Sequence, residues 1–265
     1  MKIVIVSNSF EAPGARALSA AATALGYEAV IVKAGDDTVA LSIAESDRVI
    51  YRLGPKSYRL FVDLVSKISG PHKTLLDATL ASFDKLSTYS ILIHNNIPTP
   101  FSSEIGRDDI VESYPVVAKI LNGNQGVGIA LINSDNELSD YKNEFPNEEK
   151  FLVQEFIKES SGTDTRLFVV GERVVAAMKR VAETGDFRAN LHLGARIEAY
   201  SPSEEEEAIA MKAVKAFGLK YAGVDIISSN RGPLVLEVNP SPGFGIQEVN
   251  DVDVAAEVIK GVVND

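Results

Sequence analysis

Residues 221–227, Tyr-Ala-Gly-Val-Asp-Ile-Ile, and 234–243, Leu-Val-Leu-Glu-Val-Asn-Pro-Ser-Pro-Gly, are two β-rich runs broken only by Asp225, Glu237 and Asn239. In a strand alternate residues share a face, so Glu237 and Asn239 point one way while Leu236 and Val238 point the other. One face is then core and the other polar. A carboxylate is costly to bury unless paired or metal-bound, and Asp225 on the preceding strand supplies a second acid. Three hard oxygen donors suit magnesium, which also keeps water and phosphate ligands. Taken alone, the two acids are equally consistent with exposed edge residues or a helix-capping pair. The Pro240-Ser241-Pro242-Gly243 turn directly after Asn239 weighs against that, because it builds a rigid corner at the end of an acidic strand.

Working outward, the next chemistry-bearing segment is 116–128, Val-Val-Ala-Lys-Ile-Leu-Asn-Gly-Asn-Gln-Gly-Val-Gly. Lys119 interrupts an apolar strand, and the turn after it contains Gly123, Gly126 and Gly128. That places a cation beside backbone N–H groups able to close on phosphate. The spacing fits neither the Walker loop nor the dinucleotide fingerprint, and a glycine turn between strands can also be a simple hairpin. A third cluster, Gly185-Asp-Phe-Arg-Ala-Asn, offers Arg188 and Asn190 as contacts to phosphate or metal, arginine being the side chain that best matches phosphate geometry. In isolation it reads equally as a turn with solvated charges.

The rest of the chain sets the frame. Residues 2–7, 29–32 and 48–52 read as strands, with helices at 15–25 and 57–69 and a break at Gly70-Pro71, which suggests a small parallel α/β domain over 1–80. A helix at 83–95 follows. Strands at 116–121, 127–132 and 151–157, and then at 166–170, 173–177, 221–227 and 234–238, change the pattern to α+β. The helix 203–217 divides the last four into pairs. This places a central subdomain with the glycine-rich loop at 81–155 and a C-terminal one with the acidic strands at 156–265. The acidic run Glu204–Glu207 is a first helical turn, since Ser203 and Glu206 have capping-box spacing.

Composition excludes several function classes. The 265 residues include no cysteine, so disulfides, thiolate catalysis and cysteine-ligated metals are ruled out. The three histidines lack ligand spacing at His72 and His94, which leaves oxygen donors for any metal. A formal net charge of −11 argues against nucleic acid or an anionic membrane as partner. The apolar stretches Ile3–Val6 and Ala29–Val32 are too short for a signal core or a membrane span, which points to a cytoplasmic soluble protein.

These segments, with Asp84-Lys-Leu-Ser-Thr, Val153-Gln-Glu-Phe-Ile-Lys-Glu and Asp164-Thr-Arg, occur in an order that resembles the ATP-grasp superfamily, specifically RimK-type amino-acid ligases. The similarity runs from about Phe83 to the C-terminus. It implies an ATP-grasp fold, two α+β subdomains clasping ATP behind a small Rossmann-like N-terminal domain. It places Lys85 and Lys119 at the phosphates, with Gly123, Gln125, Gly126 and Gly128 in a covering loop. It places Gln154, Glu155, Phe156 and Ile157 at the adenine edge and Asp164 at the ribose. Arg188 and Asn190 hold the phosphates and, with Lys119, serve the chemistry. Asp225, Glu237 and Asn239 bind one or two Mg2+ ions, with Mn2+ as the alternative.

The implied reaction activates a carboxylate of a peptide, protein or metabolite as an acyl phosphate and joins it to the amine of an amino acid such as glutamate, releasing ADP and phosphate. Two other readings stay open, a non-catalytic ATP-binding module and a phosphotransferase on the same fold. Asn124 stands where such proteins often have Thr, and Ala189 where Ser is common. Leu193 and the segment Met178-Lys-Arg-Val also depart from the pattern and bear on the substrate. His192 is either a base or an ordering residue, and Arg52 is a candidate substrate contact. Homo-oligomers are common in this family, although no interface signature is legible.

Overall fold

The computed structural model describes residues 1–36, 39, 42–54, 57–121, 127–183, 185–189 and 194–264. The chain opens with β1 (Lys2–Ser7), α1 (Pro13–Ala24), β2 (Glu28–Lys33) and β3 (Arg48–Arg52). The three strands form a parallel sheet in the order β2-β1-β3. The central strand is covered on both faces, which is why it reads as an unbroken apolar run. Ile3 and Ile5 pack on the α1 side, and Val4 and Val6 pack against α2 (Tyr58–Val65) and α3 (Gly70–Ala81). The Gly70-Pro71 pair expected to break the chain instead opens α3. Proline is tolerated in a first helical turn, where its missing N–H has no partner to lose.

Helix α4 (Lys85–His94) starts at Asp84, whose carboxylate accepts from Ser87 N at 2.6 Å. A four-stranded antiparallel sheet follows, β4 (Ser102–Gly106), β5 (Val116–Ile120), β6 (Ile129–Ile132) and β7 (Lys150–Glu155), in the order β4-β7-β5-β6. Its back is covered by α5 (Asp135–Glu144), which buries Leu138 and Tyr141 against Ile105, Val116 and Phe151.

The third sheet is antiparallel and five-stranded. It contains β8 (Thr163–Val170), β9 (Arg173–Val181), β10 (Arg196–Ala199), β11 (Tyr221–Ser229) and β12 (Gly232–Asn239), in the order β10-β9-β8-β11-β12. On one face lie α6 (Glu204–Phe217) and α4, whose Leu92, with Ile97 just beyond it, joins the core of this layer. Helix α4, expected within a central unit of residues 81–155, is therefore packed with the C-terminal layer. The other face is covered by α1 and α7 (Val254–Val263) at its apolar end, Phe168, Val170, Ala176, Met178 and Tyr221, and carries charged side chains at the other. The acidic first turn of α6 is a capping box: Ser203 Oγ accepts from Glu206 N at 3.3 Å and Glu206 Oε2 accepts from Ser203 N at 2.8 Å.

Candidate active site

The four- and five-stranded sheets face each other across a cleft of about 490 Å³. Its apolar floor comes from Val117, Ile129, Leu152, Ile227 and Leu236. All are side chains from strands of the two sheets, aimed into the gap by strand alternation. On β12 a register irregularity opposite Asp225 and Ile226 resets that alternation, so Leu236 and Glu237 both line the cleft while Val235 and Val238 join the core, and Leu236 does not share the face of Val238 as expected.

Two lysines enter from the α4 and β5 side. Lys119 Nζ donates to Gln154 Oε1 at 2.7 Å, and Gln154 Nε2 donates to Ser102 Oγ at 2.9 Å, which fixes the amide with its oxygen towards the cation. Burial, together with the neighbouring Lys85 ammonium, pushes Lys119 down to about 8, against the pull of Glu237. Lys85 donates to Leu121 O at 3.1 Å, and burial lowers its pKa against the attraction of Glu237 and Asp84. Both cations therefore lie in the field of one carboxylate.

Asp225 and Glu237 are in register on β11 and β12. Glu237 is exposed to the cleft, whereas Asp225 is buried. Asp225 accepts from Arg166 Nε at 2.6 Å and Nη2 at 2.7 Å, and from Arg180 Nη2 at 2.8 Å. Arg180 also forks onto Asp164, with both bonds at 2.6 Å. Burial would raise Asp225, but Arg166 and Arg180 overcome it and hold the carboxyl at about 2. At Asp164 burial prevails over Arg180 and lifts the group to about 6. The result is a chain of two acids and two arginines, the cross-strand pairs being Asp164 opposite Arg180 and Arg166 opposite Asp225.

Asn239 Oδ1 accepts from Ser241 N at 2.9 Å, which leaves that oxygen a second lone pair. A carboxylate has about four lone-pair sites, and three of those on Asp225 are taken by guanidinium N–H groups. Glu237 and Asn239 are thus the more available donors at this end, with at most one site from Asp225, a set of hard oxygens that fits magnesium. Among the described residues no three His, Asp or Glu side chains cluster as a metal site, so a cation held here would take the Asn239 amide oxygen among its donors.

Arg188 comes from the loop after β9. Its Nε and Nη2 fork onto Asp186 at 3.0 and 2.9 Å, and its Nη1 reaches across the cleft to Ile129 O at 3.4 Å. Phe156 and Ile157 lie just past β7, with the Phe156 ring edge-on to Phe187 at 6.3 Å. The Glu155 carboxylate, expected at the adenine edge, is turned to Arg231 in bonds of 2.9 and 2.7 Å. Gly128, at φ +67, closes the turn immediately before β6, its carbonyl accepting from Ile120 N and from the Tyr141 hydroxyl.

Of the residues singled out from sequence, Lys85, Lys119, Gln154, Glu155, Phe156, Ile157, Asp164, Arg188, Asp225, Glu237 and Asn239 all line this one cleft. Gly123, Gln125, Gly126, Asn190 and His192 lie outside the described residues. His72 and His94 bond backbone carbonyls of Ala44 and Ser90 away from it. The sequence reading assigned no role to Arg166 and Arg180, although their alternation with Asp164 along β8 and β9 is a signal of a shared charged face.

The comparisons with known proteins agree with this geometry. A profile of the RimK-like ATP-grasp domain matches residues 82–262. A Legionella pneumophila (strain Corby) protein named "probable alpha-L-glutamate ligase" is 36% identical over 285 aligned positions, covering 98% of this chain and 94% of that protein. Among solved structures, a RimK domain ATP-grasp protein from Sphaerobacter thermophilus superposes with a TM-score of 0.74 at 21% identity, over 99% of this chain and 100% of its own. The D-alanine–D-alanine ligase of Bacillus anthracis does so with a TM-score of 0.69 at 19% identity, covering 100% and 96%. With the profile spanning more than half the chain and the lysines, arginines and acids of the cleft falling within it, the chain belongs to the RimK-like ATP-grasp family and is an ATP-grasp ligase.

Proposed function

We propose that this ligase forms ADP, requires magnesium, and joins an amino acid, glutamate by analogy with the Legionella relative's name, to a carboxylate through an acyl phosphate. The observation that carries the proposal is the convergence of Lys85, Lys119 and Glu237 on one cleft, with Arg188 bridging it. Phosphoryl transfer asks for positioning and charge neutralisation more than for a protein nucleophile. These side chains offer both.

In the first step a carboxylate oxygen of the acceptor attacks the γ-phosphorus. The new O–P bond forms as the bond to the β-phosphate oxygen breaks, and ADP leaves with that electron pair. Lys85 and Lys119 neutralise the phosphate oxygens, and Arg188 bonds them with its planar fork in exchange for Asp186. Glu237 and Asn239, with one site from Asp225, would hold the magnesium, which screens charge on the transferring group. In the second step the neutral amine attacks the acyl carbon, the C–N bond forms, the C–O bond breaks with its electron pair going to phosphate, and the departing phosphate takes up the proton that the nitrogen gives up. Closure of the cleft matters because water hydrolyses the intermediate.

Gln154 to Ile157 form the edge on which adenine is proposed to sit, over the apolar floor. Asp164, taken up by Arg180, is proposed to meet the ribose only as part of that ion-pair chain. The test is product analysis with purified protein, MgATP and a panel of amino acids and glutamyl peptides. The expected result is ADP, phosphate and a product lighter by one water than its components. AMP with pyrophosphate would overturn the acyl-phosphate route, and a stable phosphorylated product would make the protein a phosphotransferase.

A further inference from the structure

Among the described residues two buried side-chain polar atoms meet no hydrogen-bond partner, Ser7 Oγ and the Tyr221 hydroxyl. Ser7 is 1% exposed and Tyr221 7%. Buried hydroxyls are nearly always bonded, so two orphans at one spot call for an explanation. Both belong to the same spot. Ser7 ends β1 in register with Arg52 at the end of β3, so their side chains share the face of the parallel sheet that packs on the C-terminal layer. The Tyr221 phenol sits beside the Arg52 guanidinium, whose charge and N–H groups oppose the rise that burial imposes on it, although the approach falls short of full hydrogen-bond geometry and leaves the hydroxyl room for another partner.

The placement of the Arg52 charge is the second observation. Nη1 donates to Pro242 O at 2.9 Å, and the guanidinium lies 4.8 Å from the centre of the Phe244 ring. Neither partner is an anion, and no carboxylate among the described residues pairs with Arg52. Its Nη2 presses on the first turn of α1, where a Cβ on Gly14 would stand 2.5 Å away. That helix begins at Ala12 without a side-chain cap. A cation against the positive end of a helix is unfavourable unless an anion joins the two.

We propose that Arg52, the Ser7 and Tyr221 hydroxyls and the first turn of α1 bind a carboxylate of the substrate, at the end of the cleft remote from adenine. This rests on the ligase reading and adds the substrate's chemistry and reach. Gly54, two residues beyond Arg52, lines the cleft, as do Ser241 and Gly243 on either side of Pro242. Tyr221, Gly223 and Asp225 follow one another on one face of β11, and Gly223 is in register with Asn239. At about 3.3 Å per residue the anchor is set back roughly 7 Å from the level of Asn239 and roughly 13 Å from Asp225. A chain covers at most about 3.5 Å per residue, so the span corresponds to two to four extended residues, roughly. The carboxylate is accordingly that of a short peptide, deeper than a free amino acid reaches from the reacting end.

The experiment uses tri-L-glutamate, its analogues with one carboxylate converted to carboxamide, and L-glutamate. Binding to wild type, R52Q, S7A and Y221F is measured by titration calorimetry, and ADP formation is followed in parallel. R52Q is expected to bind the tripeptide roughly 10- to 100-fold more weakly and the two hydroxyl variants roughly 3- to 10-fold, with the KM for ATP unchanged. The loss in R52Q should vanish for one of the mono-amides, which a purely structural Arg52 would not produce. Equal affinity in R52Q and wild type, or equal losses for every analogue and for MgATP, would overturn the site. So would L-glutamate binding in preference to the tripeptide. S7A and Y221F keep the test open should R52Q fail to fold. Arg52-dependent binding without ADP formation would retain the site and remove the ligase reading, and ADP formation indifferent to Arg52 would do the reverse.

Discussion

Asp225 and Glu237 stand opposite one another on adjacent strands, and the fold gives them contrary surroundings: the first is clamped by Arg166 and Arg180, the second faces the cleft beside two lysines. Their conservative variants should separate. Glu237→Gln is expected to abolish ADP formation while unfolding stability stays within about 0.5 kcal/mol, as for other exposed positions. Asp225→Asn leaves the Arg166 guanidinium without its carboxylate and Arg180 with Asp164 alone, and should cost about 3 kcal/mol or more in urea unfolding. Equal stability of the two variants would refute the difference in their surroundings.

Lys119 carries its own pH signature. Its folded pKa of about 8 lies below the ordinary lysine value. The ammonium proposed to meet phosphate is therefore complete below about pH 7 and lost as pH rises through 8. Affinity for ATP should fall up to about tenfold per pH unit above that point, and in Lys119→Arg the fall should disappear because guanidinium stays charged. Binding titrations across the range would show it. Lys119→Ala should weaken ATP at every pH.

Gly128 has two reasons to be glycine. Its φ is +67, and an added Cβ would stand 2.5 Å from Ile120 Cγ1. Gly128→Ala should therefore destabilise by about 1–3 kcal/mol and slow turnover, and Ile120→Val in the same chain should not restore the backbone component. Thermal and urea unfolding of the single and double variants decide this.

Arg231 reaches Glu155 from the turn between β11 and β12, a surface pair at the edge of the nucleotide cleft. Arg231→Ala should leave the melting temperature unchanged and raise the KM for ATP by no more than about fivefold. A larger rise would mean that Glu155 is held in place for adenine.

Much of this site was legible because its residues interrupt apolar strands. Lys119 in 116–120 and Glu237 in 232–239 stand out against apolar neighbours, and period-two alternation sends Lys119 to the cleft, whereas on β12 a register irregularity beside Leu236, invisible in the pattern, brings both Leu236 and Glu237 there. What the pattern did not disclose depends on tertiary encounters. Glu155 turns to Arg231 because the β11–β12 turn happens to pass beside β7, which no local spacing encodes. Helices α3 and α5 were missed for different reasons: Gly70-Pro71 looks like a stop and is a start, and residues 135–144 are largely polar, with only Leu138, Tyr141 and Lys142 buried. The fold class was the easiest part, since an alternating α/β start followed by clustered strands leaves few arrangements.

The lobe that carries Lys119 enters and leaves by neighbouring strands, because Glu155 N donates to Phe101 O at 2.8 Å and β4 pairs with β7 along its length. Meanwhile the approach to it is stitched to the opposite layer, where Val235 N donates to Pro98 O at 2.8 Å and Lys212 reaches Asn96 O at 3.0 Å. Topologically the lobe is a cassette on a twin stalk. Its two ends are adjacent, as in domains that tolerate insertion into foreign hosts. Grafting residues 101–156 between two scaffold strands would transplant the Lys119 side of the cleft as a unit, and a fluorophore pair flanking the stalk would report whether the cassette moves when ATP is added.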